Sequence, residues 1–356
     1  MTLLEETLAR ISSADAASRE KVRQHILQLT MPTWALGRVL DLAVDLAGIT
    51  GDTTLPVARK EIILMAGDHG IVREGVCPQP SSVTEQMVRN FVRGGGAINI
   101  LAANAGAHVT IADLGVDADL SDLAAAGAIR DCKIRRGTAN FAQGPAMTRE
   151  EARKAVETGI SLVLEMADQV DVFATGEMGI GNTSPSSAIL TVLAGQSDPA
   201  EFVGRGAGLA PEKLRHKAEV IRKGIELNQP DPADALDLLA KVGGLELGGI
   251  AGVILGAASI RKPVIVDGFC SSAGALLAAA FSPDSRDSMI LAHGSAEPGH
   301  RKMQELLRKK PLLDLEMRLG EGTGAALAMN LLDAAHAIVN QMATFESASV
   351  TDEGLK

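Results

Sequence analysis

From residue 60 onward the chain repeats one pattern: a short run rich in Val, Ile or Leu, a loop dense in glycine and polar residues, then an apolar helical stretch. The clearest runs are 61–66 before AGDHG, 108–112 before DLGV, 171–174 before TGEMGIGNT, 263–266 before DGFC and 288–292 before HGSAEPGH. Nearly continuous apolar strands alternating with helices need cover on both faces. The pattern therefore predicts an α/β fold with a doubly wound, mostly parallel sheet of the Rossmann-like kind. Helix starts are marked by two expected capping boxes, Thr148 with Glu151 and Ser82 with Glu85, and by Asp231-Pro232 and Ser184-Pro185. Residues 1–59 read as mostly helical and 325–345 as one more apolar helix. We expect a small helical subdomain, 1–59 with 325–356, beside a body spanning 60–324. In an open parallel sheet ligands bind beyond the carboxyl ends of the strands, so one site assembled from the polar loops is the natural expectation.

Charge narrows the class of partner. With 34 Lys and Arg against 44 Asp and Glu, the 356-residue chain carries a formal charge of −10, which argues against nucleic acid and anionic membrane surfaces. Aromatic residues are 2% of the chain, with no tyrosine and only Trp34, so stacking platforms for nucleic acid are not expected. Cys77, Cys132 and Cys270 are odd in number and widely spaced, which fits a reducing compartment. The first twenty residues lack the apolar core of a secretory leader, and the longest apolar stretch, 248–260, is too short to span a bilayer. A cytoplasmic enzyme is expected.

Each candidate for chemistry has a plainer alternative. The segment 176–184 brings Glu177 with Gly179 and Gly181 to a helix start, a phosphate cradle or a simple strand-to-helix turn capped by Ser184. Gly204, Arg205 and Gly206, followed by Lys217, could supply the cation an acidic protein needs for phosphate, or form a connection and a solvated helix face. Glu321 stands between Gly320 and Gly322 ahead of an apolar helix, placed to act as a general base or to complement the helix dipole. Asp68-His69 suits acid–base or metal chemistry, although a turn held by the aspartate is the commoner use of such a tetrapeptide. His293 and His300 are separated by Pro298-Gly299, which breaks the continuous helix that a zinc pair would need. The chain has no GK[ST] and no G-x-S-x-G. Gly320-x-Gly322-x-x-Ala325 only echoes the dinucleotide fingerprint, leaving a nicotinamide-dinucleotide oxidoreductase or a nucleotide-sensing binding protein as alternatives from residues alone.

Taken together, AGDHGIVREGV, VTEQMVRNFVRGGGAINILA, TGEMGIGNTSPSSA, GRGAGL, GGLELGGIAGVILGAA, VIVDGF, SAEPGH and LGEGTGAALAM resemble, in order, the nicotinate-nucleotide:dimethylbenzimidazole phosphoribosyltransferase family. The resemblance implies transfer of phosphoribose from nicotinate mononucleotide to a benzimidazole, giving α-ribazole phosphate and nicotinate for the cobalamin nucleotide loop. It implies Glu321 as catalytic base and Glu177 as a second active-site carboxylate. Gly179 and Gly181 would lie along ribose and phosphate, and Gly204, Arg205, Gly206 and Lys217 on phosphate. Gln86 would border the benzimidazole. No metal or redox cofactor is implied, and a homodimer is. Relatives usually carry a KPxGSLGRLE segment where this chain has 31–41, Ser where Cys77 stands, and a different lead into SAEPGH at 292–294. With so few rings, the planar acceptor is expected to rest between side chains such as Met and Leu.

Overall fold

The computed structural model describes residues 1–195 and 198–351; residues 352–356 of the expected terminal segment lie outside the described residues. Six parallel strands form the main sheet: β1 (Lys60–Gly67), β2 (Ala107–Gly115), β3 (Arg130–Asp131), β4 (Val172–Met178), β5 (Val264–Val266) and β6 (Met289–Leu291). Their spatial order is β3-β2-β1-β4-β5-β6, so the sheet is doubly wound and reverses direction between β1 and β4. Five strands coincide with the five predicted runs. The sixth, β3, is a two-residue edge strand with no apolar signature to announce it.

Alternation along the strands divides the interior between two faces. Ile63, Met65, Phe173, Val264 and Val266 face one core with the helices Arg149–Glu165, Leu245–Ser259 and Phe269–Phe281. Ile62, Leu64, Val172, Ala174 and Ile265 face the other. There Ala16–Ile26, Arg38–Thr50 and Thr323–Gln341 pack together, joined also by a bridge between Leu29 and Thr344. The helix Leu3–Leu8 lies on the opposite side, with Leu4 in the first core.

Several helix starts differ from the sequence reading. The Thr148–Glu151 capping box forms. The Ser82–Glu85 box does not: Ser81 is the N-cap, Ser82 is already helical, and Glu85 pairs with Arg89 one turn on. Asp231 caps only a turn, and Asp234 starts the helix Ala235–Val242 by accepting from the amides of Leu236 and Asp237. Ser184 lies inside the helix Thr183–Leu193, whose N-cap is Asn182.

β4 runs on through Met178, because its pairing with β1 continues to Ala66 opposite Met178. Glu177 therefore stands on a strand end and not on a loop. A second, two-stranded parallel pair, β7 (His293–Gly294) and β8 (Leu313–Asp314), carries the chain back to the loop at 318–322.

Candidate active site

A cavity of about 400 Å³ opens beyond the carboxyl ends of β4, β5 and β6, beside the switch point. Met87, Met178, Ile180, Phe269 and Leu319 supply its apolar wall; Glu177, Glu297, Glu321, His293 and Arg318 supply its polar groups. The aliphatic wall expected from composition is present, with Phe269 as its one benzene ring.

Glu321 reaches this cavity from an unusual backbone. Gly320, Glu321 and Gly322 have φ of 87°, 63° and 92°, and a non-glycine residue held there costs roughly 1–2 kcal/mol. The left-handed arc lets a carboxylate stand at the mouth of a tightly packed junction: a Cβ on Gly320 would overlap Glu177, and one on Gly176 would overlap the carbonyl of Glu321. Glu321 is buried, and its Oε2 accepts the amide of Ile98 at 3.3 Å. Burial raises its pKa, reinforced by the charge of Asp267 and opposed by the Ile98 amide.

Glu177 accepts from the Asn182 side chain. Its pKa is pushed up to about 8, first by burial and then by the carboxylates of Asp267, Glu246 and Glu321; Asn182 opposes the shift. Two neighbouring carboxyl groups in different environments are the arrangement that lets one hold a proton while the other takes one.

Sequence reasoning passed over the carboxylates that set these values. Asp267, just past β5, is buried and lies 3.8 Å from His293 Nε2. Glu246, within GGLELGG, is buried with its Oε1 2.9 Å from His69 Nε2, a close contact without hydrogen-bond alignment. Burial alone would depress His69, but Glu246 outweighs it, with Asp68 adding, and the imidazole is held above its ordinary range. Asp68 does not stabilise its own turn. It accepts from the Thr84 hydroxyl at 2.6 Å and the Asp117 amide at 2.8 Å, tying three segments together. The available signal for Asp267 was its place immediately after a predicted strand. No local signal marked Glu246, which sits in an apolar helix.

On the opposite wall, Asn182, Thr183, Gly206, Glu297 and Arg318 face the cavity. Lys217 is buried behind them, donating to Thr183 Oγ1 at 2.8 Å and to the Gly204 carbonyl at 3.1 Å. Burial lowers its pKa, and the nearby charge of Glu297 partly offsets this. Glu297 Oε1 accepts the Gly206 amide at 3.0 Å, while Oε2 is buried without a partner among the described residues. A Cβ on Gly204 would overlap that carboxylate.

Glu321, Glu177, Gly179 and Gly206 thus line one cavity, with Gly204 and Lys217 directly behind it. Gly181, with φ of 92°, packs on Val72. Arg205 is exposed and donates to its own turn at the Leu209 carbonyl, and Gln86 is exposed on its helix, where the next residue, Met87, forms the wall. Arg318 is the cation that the sequence reading overlooked. His300 is spent internally, accepting the Ser295 amide at Nδ1 and contacting the Ser272 hydroxyl at Nε2. Among the described residues no group of three or more His, Cys, Asp and Glu is arranged to hold a metal ion.

Comparison with known proteins identifies the family and the fold. A phosphoribosyltransferase family model matches residues 11–350. The chain is 52% identical over 351 residues, 99% of both chains, to the nicotinate-nucleotide–dimethylbenzimidazole phosphoribosyltransferase of Syntrophotalea carbinolica. It is 50% identical over 352 residues to the protein of that name from Geobacter sp. strain M21, covering 99% of this chain and 100% of that one. The crystal structure of the Thermus thermophilus enzyme of the same name superposes with a TM-score of 0.89 at 42% identity, over 95% of this chain and 100% of that one. By sequence along nearly its whole length and by fold, the chain belongs to the nicotinate-nucleotide–dimethylbenzimidazole phosphoribosyltransferase family.

Proposed function

We propose that this chain transfers phosphoribose from nicotinate mononucleotide to 5,6-dimethylbenzimidazole or a related base, in assembly of the cobalamin nucleotide loop, with Glu321 as general base. The observation that carries the reading is a pair of buried carboxyl groups, Glu177 and Glu321, facing one apolar-walled cavity at the strand ends.

The bonds balance without a further reactant. One benzimidazole nitrogen attacks the ribosyl carbon from the face opposite nicotinate, forming the new C–N bond and inverting the anomeric centre. The breaking C–N bond returns its electron pair to the pyridinium nitrogen, so nicotinate leaves with a neutral ring. The N–H proton of the attacking base passes to the Glu321 carboxylate. Removing that proton as the bond forms is worth about 10² to 10⁴ in rate. A carboxylate whose pKa burial has raised is the stronger base for the purpose.

The Met87, Met178, Ile180 and Leu319 side chains suit a planar apolar acceptor. The start of the helix at Thr183, with Arg318 and the buried Lys217, suits the phosphate. Glu297 accepts the Gly206 amide, so phosphate bound at that amide would take its place. We place the enzyme in the cytoplasm, supported by three free cysteines, and propose a homodimer, which sedimentation would show as twice 37.0 kDa.

Incubating the protein with nicotinate mononucleotide and 5,6-dimethylbenzimidazole should release nicotinate and one equivalent of α-ribazole phosphate. Absence of product across several benzimidazoles would contradict the assignment.

A further inference from the structure

We propose that Asp267 is a positioning residue for the transfer: its carboxylate, delivered from the end of β5, sets the left-handed loop that carries Glu321 and so fixes where the Glu321 carboxylate points. This rests on the reading of Glu321 as the base.

The helix Thr323–Gln341 begins at Gly322, an N-cap without a side chain. Its first amides would be left unpaired if no other segment served them. Asp267 serves them from a different strand. Oδ2 accepts the Gly322 amide at 3.2 Å, Oδ1 accepts the Ala325 amide at 3.0 Å, and the Gly324 amide lies on the same carboxylate. The Asp267 backbone is fixed in turn, its amide donating to Thr175 Oγ1 of β4 at 3.3 Å. A line of contacts thus runs from β4 through β5 to the residue next to Glu321.

The loop has little freedom to compensate if this anchor weakens. Gly322 packs within van der Waals reach of Gly176, and Gly324 packs on the His293 ring, positions where even a Cβ would be crowded or would overlap. Asp267 does not itself line the cavity, so it acts through Glu321 and not on substrate. Its carboxylate also faces Glu177, His293 and Glu321, the groups with which it is in electrostatic contact.

Asp267→Asn preserves shape and one oxygen. With nicotinate mononucleotide and 5,6-dimethylbenzimidazole, kcat should fall about 10- to 100-fold, the scale of an ångström-level misplacement. KM should move less than about 3-fold. The acid limb of the kcat profile should also move to lower pH, because removing the Asp267 charge lowers the Glu321 pKa, and that of Glu177 with it. Adding Asp267→Asn to Glu321→Gln should cost less than about 3-fold more, because the two act as one unit.

Should Asp267→Asn not fold, Thr175→Val keeps the test open. It frees the Asp267 amide and should lower kcat several-fold without raising KM. A normal kcat with an unshifted pH profile in these variants, beside an inactive Glu321→Gln, would remove the positioning role alone, as would fully additive losses in the double variant. A wild-type rate in Glu321→Gln would remove the base reading and the positioning role together.

Discussion

At the scale of single residues, the cavity keeps carboxyl groups close together and out of water. Glu177 shows the consequence most plainly. With a pKa near 8 in the folded protein against about 4.5 for an ordinary glutamate, the native state holds a proton that the unfolded chain has already lost between those values. Stability from this group is therefore highest below about pH 4.5 and declines as pH rises toward 8. Glu177→Gln should raise the thermal midpoint at pH 8–9 and leave it nearly unchanged at pH 5, as scanning calorimetry would show; equal midpoints at both pH values would mean that the carboxyl group is not held protonated. Glu321 was legible as a candidate base because glycines flank it in the sequence, whereas the role expected of Glu177 came from the family resemblance. Asp267, Glu246 and Glu297 were not legible, because what matters about them is which distant segment they meet: Asp267 meets the amides at 322–325, Glu246 meets His69, and Glu297 meets Gly206.

Among the elements, apolar runs foretold strands well, while helix starts depended on contacts made far along the chain. The Ser82–Glu85 pattern has the right spacing, yet Arg89 one turn away takes the glutamate, and in Thr323–Gln341 the cap comes from another strand. The apolar helix Leu245–Ser259 illustrates a second kind of hidden information. Gly252 faces Gly159 and Val156 of the neighbouring helix so closely that a Cβ on Gly252 would overlap the Val156 carbonyl, and a Cβ on Gly159 would overlap the Gly249 carbonyl. The sequence displays these glycines as an abundance and does not say that they are a helix crossing. Gly252→Ala should destabilise the fold by about 1–3 kcal/mol, read as a lower denaturant midpoint at unchanged slope. A neutral effect would mean that the two helices can separate without cost.

For the molecule as a whole, six parallel strands place the loops that follow them at the same end, and this was the most legible feature of all. The strand order matches that of dinucleotide-binding folds, but the loop after β1 is Asp68-His69-Gly70 and lacks the glycine fingerprint, so the sheet alone would have misdirected the assignment. Net charge acts at this scale too. An acidic protein repels an anionic nucleotide over about 30 Å at 0.01 M salt and only about 8 Å at 0.15 M, so KM for nicotinate mononucleotide should fall as ionic strength rises across that range. A rise would show that Arg318 and Lys217 dominate the approach. Proton removal by Glu321, in this cavity, is the step we propose drives phosphoribosyl transfer. Steady-state nicotinate release by Glu321→Gln reads that step: the protein should fold with kcat lowered about 10²- to 10⁴-fold, and a kcat within a few-fold of wild type would contradict it.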